Sequence, residues 1–74
     1  MAYKVGRCLL QQHLDKAHMM QSELADKLGV PKQQIQNYIN GNRIIYLPIA
    51  KNIAAILNCT IDDLYEWIEV GNNE

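Results

Sequence analysis

No window of the sequence approaches the roughly 18 unbroken apolar residues that a membrane-spanning helix needs. The opening stretch MAYKVGRCLLQQHLDK has neither a long apolar core nor a small-residue cleavage site, so it is not a secretory signal. A cytoplasmic protein with no membrane partner is therefore expected. Only two cysteines are present, Cys8 and Cys59, and neither lies in a CxxC pair. Both sit among apolar residues and read as small buried hydrophobes rather than a disulfide. His13 and His18 are five residues apart, as are Cys8 and His13, whereas ligands on one helix face want spacings of three or four. No metal site is expected. The chain also lacks a Ser-His-Asp set, a glycine-rich phosphate loop and a pair of catalytic carboxylates, and Asp62-Asp63 suits helix capping better than acid–base chemistry. The expectation is a protein that is not an enzyme, takes no cofactor and binds no small-molecule ligand. Internal repeats, proline-rich stretches and low-complexity segments are absent as well.

What is present fits one small domain. The 74 residues, 8.5 kDa, are 49% hydrophobic and 20% charged, the balance of an ordinary folded chain. A chain of this length buries only about 60% of its unfolded surface, so its core is modest. Residues 1–70 are expected to form the domain and residues 71–74 a frayed tail. The net charge of −1 conceals an asymmetry. All seven bases and three acids fall within residues 1–57, leaving that part at +4. The remaining five acids lie in residues 58–74 with no base, giving −5. A basic working face and an acidic end follow from such a division.

Between Gly6, Gly29, Pro31, Gly41, Pro48 and Gly71 the apolar spacing is helical rather than alternating. It predicts an all-α fold of five helices and no strand. The first spans residues 5–17, with Val5, Leu9, Leu10, Leu14 and Ala17 near one face. The second runs from Gln21 to Leu28 and stops at Gly29. The third occupies residues 31–40 with Ile35, Tyr38 and Ile39 inward, and Gly41 ends it. The fourth is opened by Pro48 and closed by Asn58. The fifth is announced by Thr60-Ile-Asp-Asp63, a capping-box variant with Asp in place of Glu, and continues to about Ile68.

The second and third helices, with only a glycine-containing turn between them, have the layout of a helix-turn-helix. Ala25 is small where the helices must cross closely. Gly29 tolerates positive φ in the turn, and Leu24, Leu28, Val30, Ile35 and Tyr38 can anchor the pair. On the third helix, Lys32, Gln33, Gln36, Asn37 and Asn40 fall within one arc of about 140° at 100° per residue. That arc holds one cation, two glutamines, two asparagines and no acid. Asn and Gln side chains donate and accept at once, matching adenine N6 and N7 in the major groove, and Lys suits guanine acceptors or a phosphate.

At these residues the chain resembles the Cro/repressor-type helix-turn-helix family, the lambda-repressor-like or XRE class. Gln21, Leu24, Ala25, Leu28, Gly29, Val30, Ile35 and Tyr38 match the unit Gln21–Asn40. Gly41-Asn42-Arg43 is similar to the loop that follows the family's recognition helix, and Ile53 to Leu64 is similar to the family's closing segment. The resemblance covers roughly residues 5–68 and implies a compact five-helix lambda-repressor-like domain that binds double-stranded operator DNA. It further implies that Lys32, Gln33, Gln36 and Asn37 reach base edges. Gln21, Lys27, Asn40 and Arg43 would hold backbone phosphates. Three positions depart from the family pattern. Met20 stands where Thr usually caps the second helix, and Pro31 where Ser usually caps the third. Leu14 and Ile39 replace a buried Arg–Glu pair, a change that need not lower stability.

The implied function is a transcriptional regulator of phage, plasmid or mobile-element type, acting as a repressor by occupying an operator. It would be cytoplasmic and nucleoid-associated. A helix-turn-helix that binds another regulator rather than DNA is the alternative. One recognition helix covers few base pairs, so two copies on adjacent half-sites are expected. Trp67, Ile68 and Val70, apolar residues in excess of what a short fifth helix can bury, are the candidate contact. The acids around them favour a weak homodimer stabilised on DNA.

Overall fold

Four short helices packed on one another and a two-stranded antiparallel ribbon projecting from them make up the computed structural model, which describes residues 2–71. The chain begins in β1 (Ala2–Cys8) and runs through α1 (Leu10–Lys16), α2 (Gln21–Leu28), α3 (Lys32–Ile39) and α4 (Leu47–Leu57). A single 3-10 turn (Asp62–Leu64) then leads into β2 (Tyr65–Val70). The expectation of a five-helix, all-α domain is thus overturned at both ends. α2, α3 and α4 fall within a residue of where the periodicity placed them, whereas α1 starts five residues later than the expected 5–17. The expected tail 71–74 lies, beyond Gly71, outside the described residues.

Each correction has a local cause. Val5 and Leu9 satisfy a helical spacing, but Gly6 would weaken a helix at this point by about 1 kcal/mol. The helix begins instead at Leu10, and the residues before it pair with the far end of the chain. In the fifth element the capping box does form. Thr60 N–H donates to Asp63 Oδ2 at 3.0 Å and Asp63 N–H donates to Thr60 Oγ1 at 3.3 Å. Hydrogen bonds to the carboxyl from the Thr60 backbone N–H and the Thr60 side chain hold Asp63 below the usual carboxylate range. The turn they cap is one turn only, because Tyr65 leaves it in an extended conformation, φ −140° and ψ 154°. Tyr65, Trp67, Ile68 and Val70 are aromatic or β-branched, the side chains that suit a pleated strand best.

The register pairs Ala2 with Val70, Tyr3 with Glu69, Lys4 with Ile68, Val5 with Trp67 and Cys8 with Tyr65. Between the last two pairs Gly6 and Arg7 oppose Glu66 alone, a bulge that bends the ribbon. Arg7 and Glu66 form an ion pair at 3.4 Å with both side chains largely exposed, a contact worth little. The root of the ribbon is secured by Leu9 N–H donating to Leu64 O at 2.8 Å and by Val5, Cys8 and Tyr65 packing on the core. Its tip extends past the helices, so the molecule measures 46 × 22 × 20 Å. The radius of gyration, 13.1 Å, exceeds the about 11 Å of a compact chain of this length.

Leu10, Leu14, Leu24, Ile35, Ile53 and Leu64 are fully buried, and among the described residues no charged or polar side chain joins them. Leu14 lies in this apolar cluster and Ile39 packs against it, so the two positions where the family's pattern has an ion pair are apolar, as expected. Cys8 and Cys59 are half-buried free thiols, and burial pushes both pKa values up.

Gly6 is required for space. A Cβ there would lie 3.0 Å from Glu66 Cβ and 3.1 Å from both Glu66 O and Ile68 Cδ1. Gly6→Val is expected to cost about 1–3 kcal/mol in chemical denaturation. Amide exchange should rise in residues 2–8 and 65–70 before it rises in α2 or α3. An unchanged midpoint and exchange pattern would mean that the ribbon is not packed as described.

Candidate nucleic-acid interface

The corner between α2 and α3 is built from three residues. Gly29 adopts the left-handed conformation at φ 71° and ψ 32°. Val30 N–H donates to Ala25 O at 3.0 Å and Gly29 N–H to Asp26 O at 3.2 Å, so the last carbonyls of α2 are satisfied as the chain reverses. Pro31 then takes an extended conformation, φ −66° and ψ 147°, and α3 starts at Lys32. Ala25, 3% exposed, sits in the crossing with Leu24, Ile35 and Tyr38, while Leu28 and Val30 pack at its margin. At the other end of α2, the missing cap hydroxyl of Met20 is offset in part. Met20 N–H donates to Glu23 Oε1 at 3.0 Å, which supplies one half of a capping box.

The polar arc of α3 faces away from this packing. Lys32, Gln33 and Asn40 are exposed, and Gln36 and Asn37 are half-buried. Gln33 Nε2 donates to Asn37 Oδ1 at 3.2 Å. The bond fixes two amides one turn apart, with Gln33 Oε1 and Asn37 Nδ2 not engaged in it. The carbonyl of Asn37 accepts from both Asn42 N–H (2.9 Å) and Arg43 N–H (3.2 Å). With Gly41 at φ 80°, these bonds fold the 41–43 loop back against the end of the helix. Arg43 is thereby carried beside the arc with its side chain exposed.

Lys32 and Gln36 share an open hollow with Gln11, Asp15, Met19, Met20, Gln21 and Ser22, so the starts of α2 and α3 line one concavity. Gln21, expected to bind phosphate, donates through Nε2 to Gln11 Oε1 at 2.8 Å, and Gln11 Nε2 donates to Asp15 Oδ1 at 2.8 Å. Its side chain is therefore held in a relay, and the first N–H groups of α2, which lack helical partners, point from the same place. Lys27, Lys32 and Arg43 enter no salt bridge among the described residues. Lys27 lies on α2, exposed and outside the hollow. Trp67, Ile68 and Val70 are on β2, in the ribbon and not on a helix.

Sequence reasoning did not find Tyr65. Its side chain runs from the root of the ribbon to the loop after α3, where its hydroxyl accepts a hydrogen bond from the buried Ile45 N–H at 3.1 Å. Ile45, 5% exposed, plugs the core directly behind Arg43. The chain around Tyr65 shows only an apolar residue after a turn, and nothing local marks a contact 20 residues away.

Residues 10–64 match the helix-turn-helix family. The chain belongs to that family, in the Cro/repressor class that its residues resemble. It is also 35% identical over 68 residues to the SPbeta prophage-derived uncharacterized HTH-type transcriptional regulator YopS of Bacillus subtilis (strain 168), a match covering 86% of this chain and 88% of that protein.

Burial raises the Tyr65 phenol above its ordinary pKa, outweighing the Ile45 N–H, which favours the ionised form. The folded state thus binds the proton more tightly than the unfolded one. The resulting stability is intact below a phenol's usual value of about 10 and is lost as pH rises through the folded value. Tyr65→Phe leaves Ile45 N–H buried and unpartnered, for an expected loss of about 1–3 kcal/mol at neutral pH. The variant should also show a shallower alkaline decline than the parent. Urea titrations at neutral and alkaline pH check both, and equal declines would remove Tyr65 from the account.

Proposed function

We propose that residues 1–70 form a sequence-specific, double-stranded DNA-binding transcriptional regulator, a repressor of phage, plasmid or mobile-element type, acting in the cytoplasm at the nucleoid. The observation that carries this reading is the acid-free arc of α3, with Lys32, Gln33, Gln36 and Asn37 presented on the side opposite the core. An exposed helix without such a task ordinarily mixes acids and bases, whereas amide side chains at one-turn spacing suit base edges in the major groove. In this reading Gln21, Asn40 and Arg43 hold phosphates on either side of the groove, with Lys27 as an outlying contact. The helix N-terminus at Gln21 adds its own N–H groups. Kinship to a protein named as a prophage-derived transcriptional regulator supports the mobile-element assignment. Repression is steric: a molecule seated on an operator blocks polymerase. Gel shifts with random duplex at low salt test the reading at its base. Folded protein that binds no DNA there would point instead to a module that binds another regulator.

Base reading and phosphate holding separate by their response to substitution. Gln33→Ala and Asn37→Ala are each expected to cost roughly 1–3 kcal/mol on the best site selected from a random pool and to relax one base position. Equal weakening on random duplex would contradict base reading.

Salt dependence counts the phosphates. Lys32, Arg43 and Lys27 supply the cations, and two copies then neutralise about four to six phosphates, for a slope of log affinity against log salt of about −4 to −5. A slope near zero would contradict the DNA-binding interface altogether.

A further inference from the structure

The side of the ribbon turned to the helices is filled at its root and open toward its tip. Val5 packs on the core, and the pleat places Tyr3, Trp67 and Glu69, the register partner of Tyr3, on the same side. Tyr3 is 65% exposed and Trp67 44%, and with Asp62 of the 3-10 turn they line an open hollow. We propose that this hollow receives an arginine side chain from a basic segment of a partner protein. The inference stands apart from the DNA-binding reading.

Two rings and two carboxylates define the chemistry. Trp67 is held in place, its Nε1–H donating to Asp62 O at 3.0 Å and its ring set edge-on to Tyr65 with centroids 6.4 Å apart. With its one donor already engaged, the exposed indole offers a π face, and Tyr3 adds a second ring. The face of an aromatic ring attracts a cation, that of Trp most strongly. Asp62 brings a carboxylate to the hollow and Glu69 a second one on the same side, and neither enters a salt bridge among the described residues. The bases of β1 do not answer them. Lys4 alternates to the opposite side, and Arg7 is paired with Glu66.

Shape and surrounding charge select the occupant. A guanidinium is planar, so it lies on a ring and donates in parallel to a carboxylate, whereas an ammonium acts as a point charge. A site for a free small molecule encloses most of its ligand. An open hollow suits instead the tip of a side chain whose remaining contacts come from the surface that carries it. Residues 58–70 contain Asp62, Asp63, Glu66 and Glu69 and no base, which favours a basic segment as the partner and repels nucleic acid. The hollow shares no residue with the one formed by the starts of α2 and α3, so the contact is separate from the polar arc.

Trp67 is the chain's single tryptophan, and its emission therefore reads the hollow directly. The blocked peptide acetyl-Ala-Arg-Ala-amide is titrated into dilute protein without DNA, beside the same peptide with uncharged citrulline in place of arginine. A saturable change in emission with a midpoint of about 1–10 mM is expected for the arginine peptide and none for the citrulline peptide. Tyr3→Ala should weaken binding about two- to fivefold. Asp62→Asn, which keeps the carbonyl that holds Trp67, should weaken it to a similar degree. Tyr46→Ala, which removes an exposed ring elsewhere on the surface, should leave it unchanged. No response to the arginine peptide, an equal response to citrulline, or binding untouched by Tyr3→Ala would overturn the proposal. A tighter response to spermidine would assign the hollow to a free polyamine, and emission that moves with protein concentration alone would assign it to a second copy; either result overturns it as well.

Discussion

The left-handed turn at Gly29 is the constraint on which the polar surface of α3 depends. α2 and α3 have eight residues each, too few to persist as isolated helices in water. They exist because Leu24, Ala25, Ile35 and Tyr38 are buried between them, and those side chains meet only if the chain reverses within the three residues Gly29 to Pro31. A Cβ at Gly29 would touch nothing within 4 Å. The requirement is therefore conformational, a φ of 71° that costs an L-residue with a side chain roughly 1–2 kcal/mol. Gly6 presents the reverse case, ordinary backbone and no room. Once the corner is set, the outward arc of α3 follows from helix geometry alone.

That dependence on local geometry explains why the middle of the molecule was legible in the sequence. Apolar spacing of three and four, a glycine or asparagine at the stops of α2, α3 and α4 and a proline at the start of α4 are signals within one or two turns of where they act. Asn58 ends α4 in the left-handed region at φ 58°, as a residue in that position can. The ends of the chain gave misleading signals for the same reason. β1 and β2 are stabilised by pairing across more than 50 residues of sequence, and no local pattern contains that partner. Val5, Leu9 and Leu10 satisfy a helical stripe about as well as a strand. The Thr60–Asp63 box was correctly identified, but a box fixes where a helical turn begins and not how far it runs.

The site divides along the same line. Lys32, Gln33, Gln36, Asn37 and Asn40 lie on one face because of the 3.6-residue period, so their grouping could be stated from the sequence. Gln21 and Lys27 were assigned by family resemblance, and only the structure shows that the Gln21 amide is engaged by Gln11 while Lys27 stands apart. Trp67, Ile68 and Val70 were singled out as surplus apolar surface. That surplus is present, although on strand β2. The replacement of the family's buried ion pair by Leu14 and Ile39 carries a related lesson. In a core without any buried charge, apolar contact avoids a desolvation cost that two charges would have to recover through near-ideal geometry.

Tyr65 joins the two parts. It is the first residue of β2, it packs on the core, and its hydroxyl holds Ile45, two residues beyond Arg43. The loop after α3 is also tied to the end of its own helix, through the carbonyls of Asn37 and Tyr38, and to the core by the buried Ile45 side chain. To those ties the ribbon adds one more, the hydroxyl of Tyr65 on Ile45 N–H. Stiffening β2 therefore steadies the backbone that carries Arg43, and in the proposed DNA-binding reading a phosphate on Arg43 steadies the root of the ribbon by the same amount, since a coupling free energy between two sites is reciprocal. The bond transmits no more than it is worth, about 1 kcal/mol net.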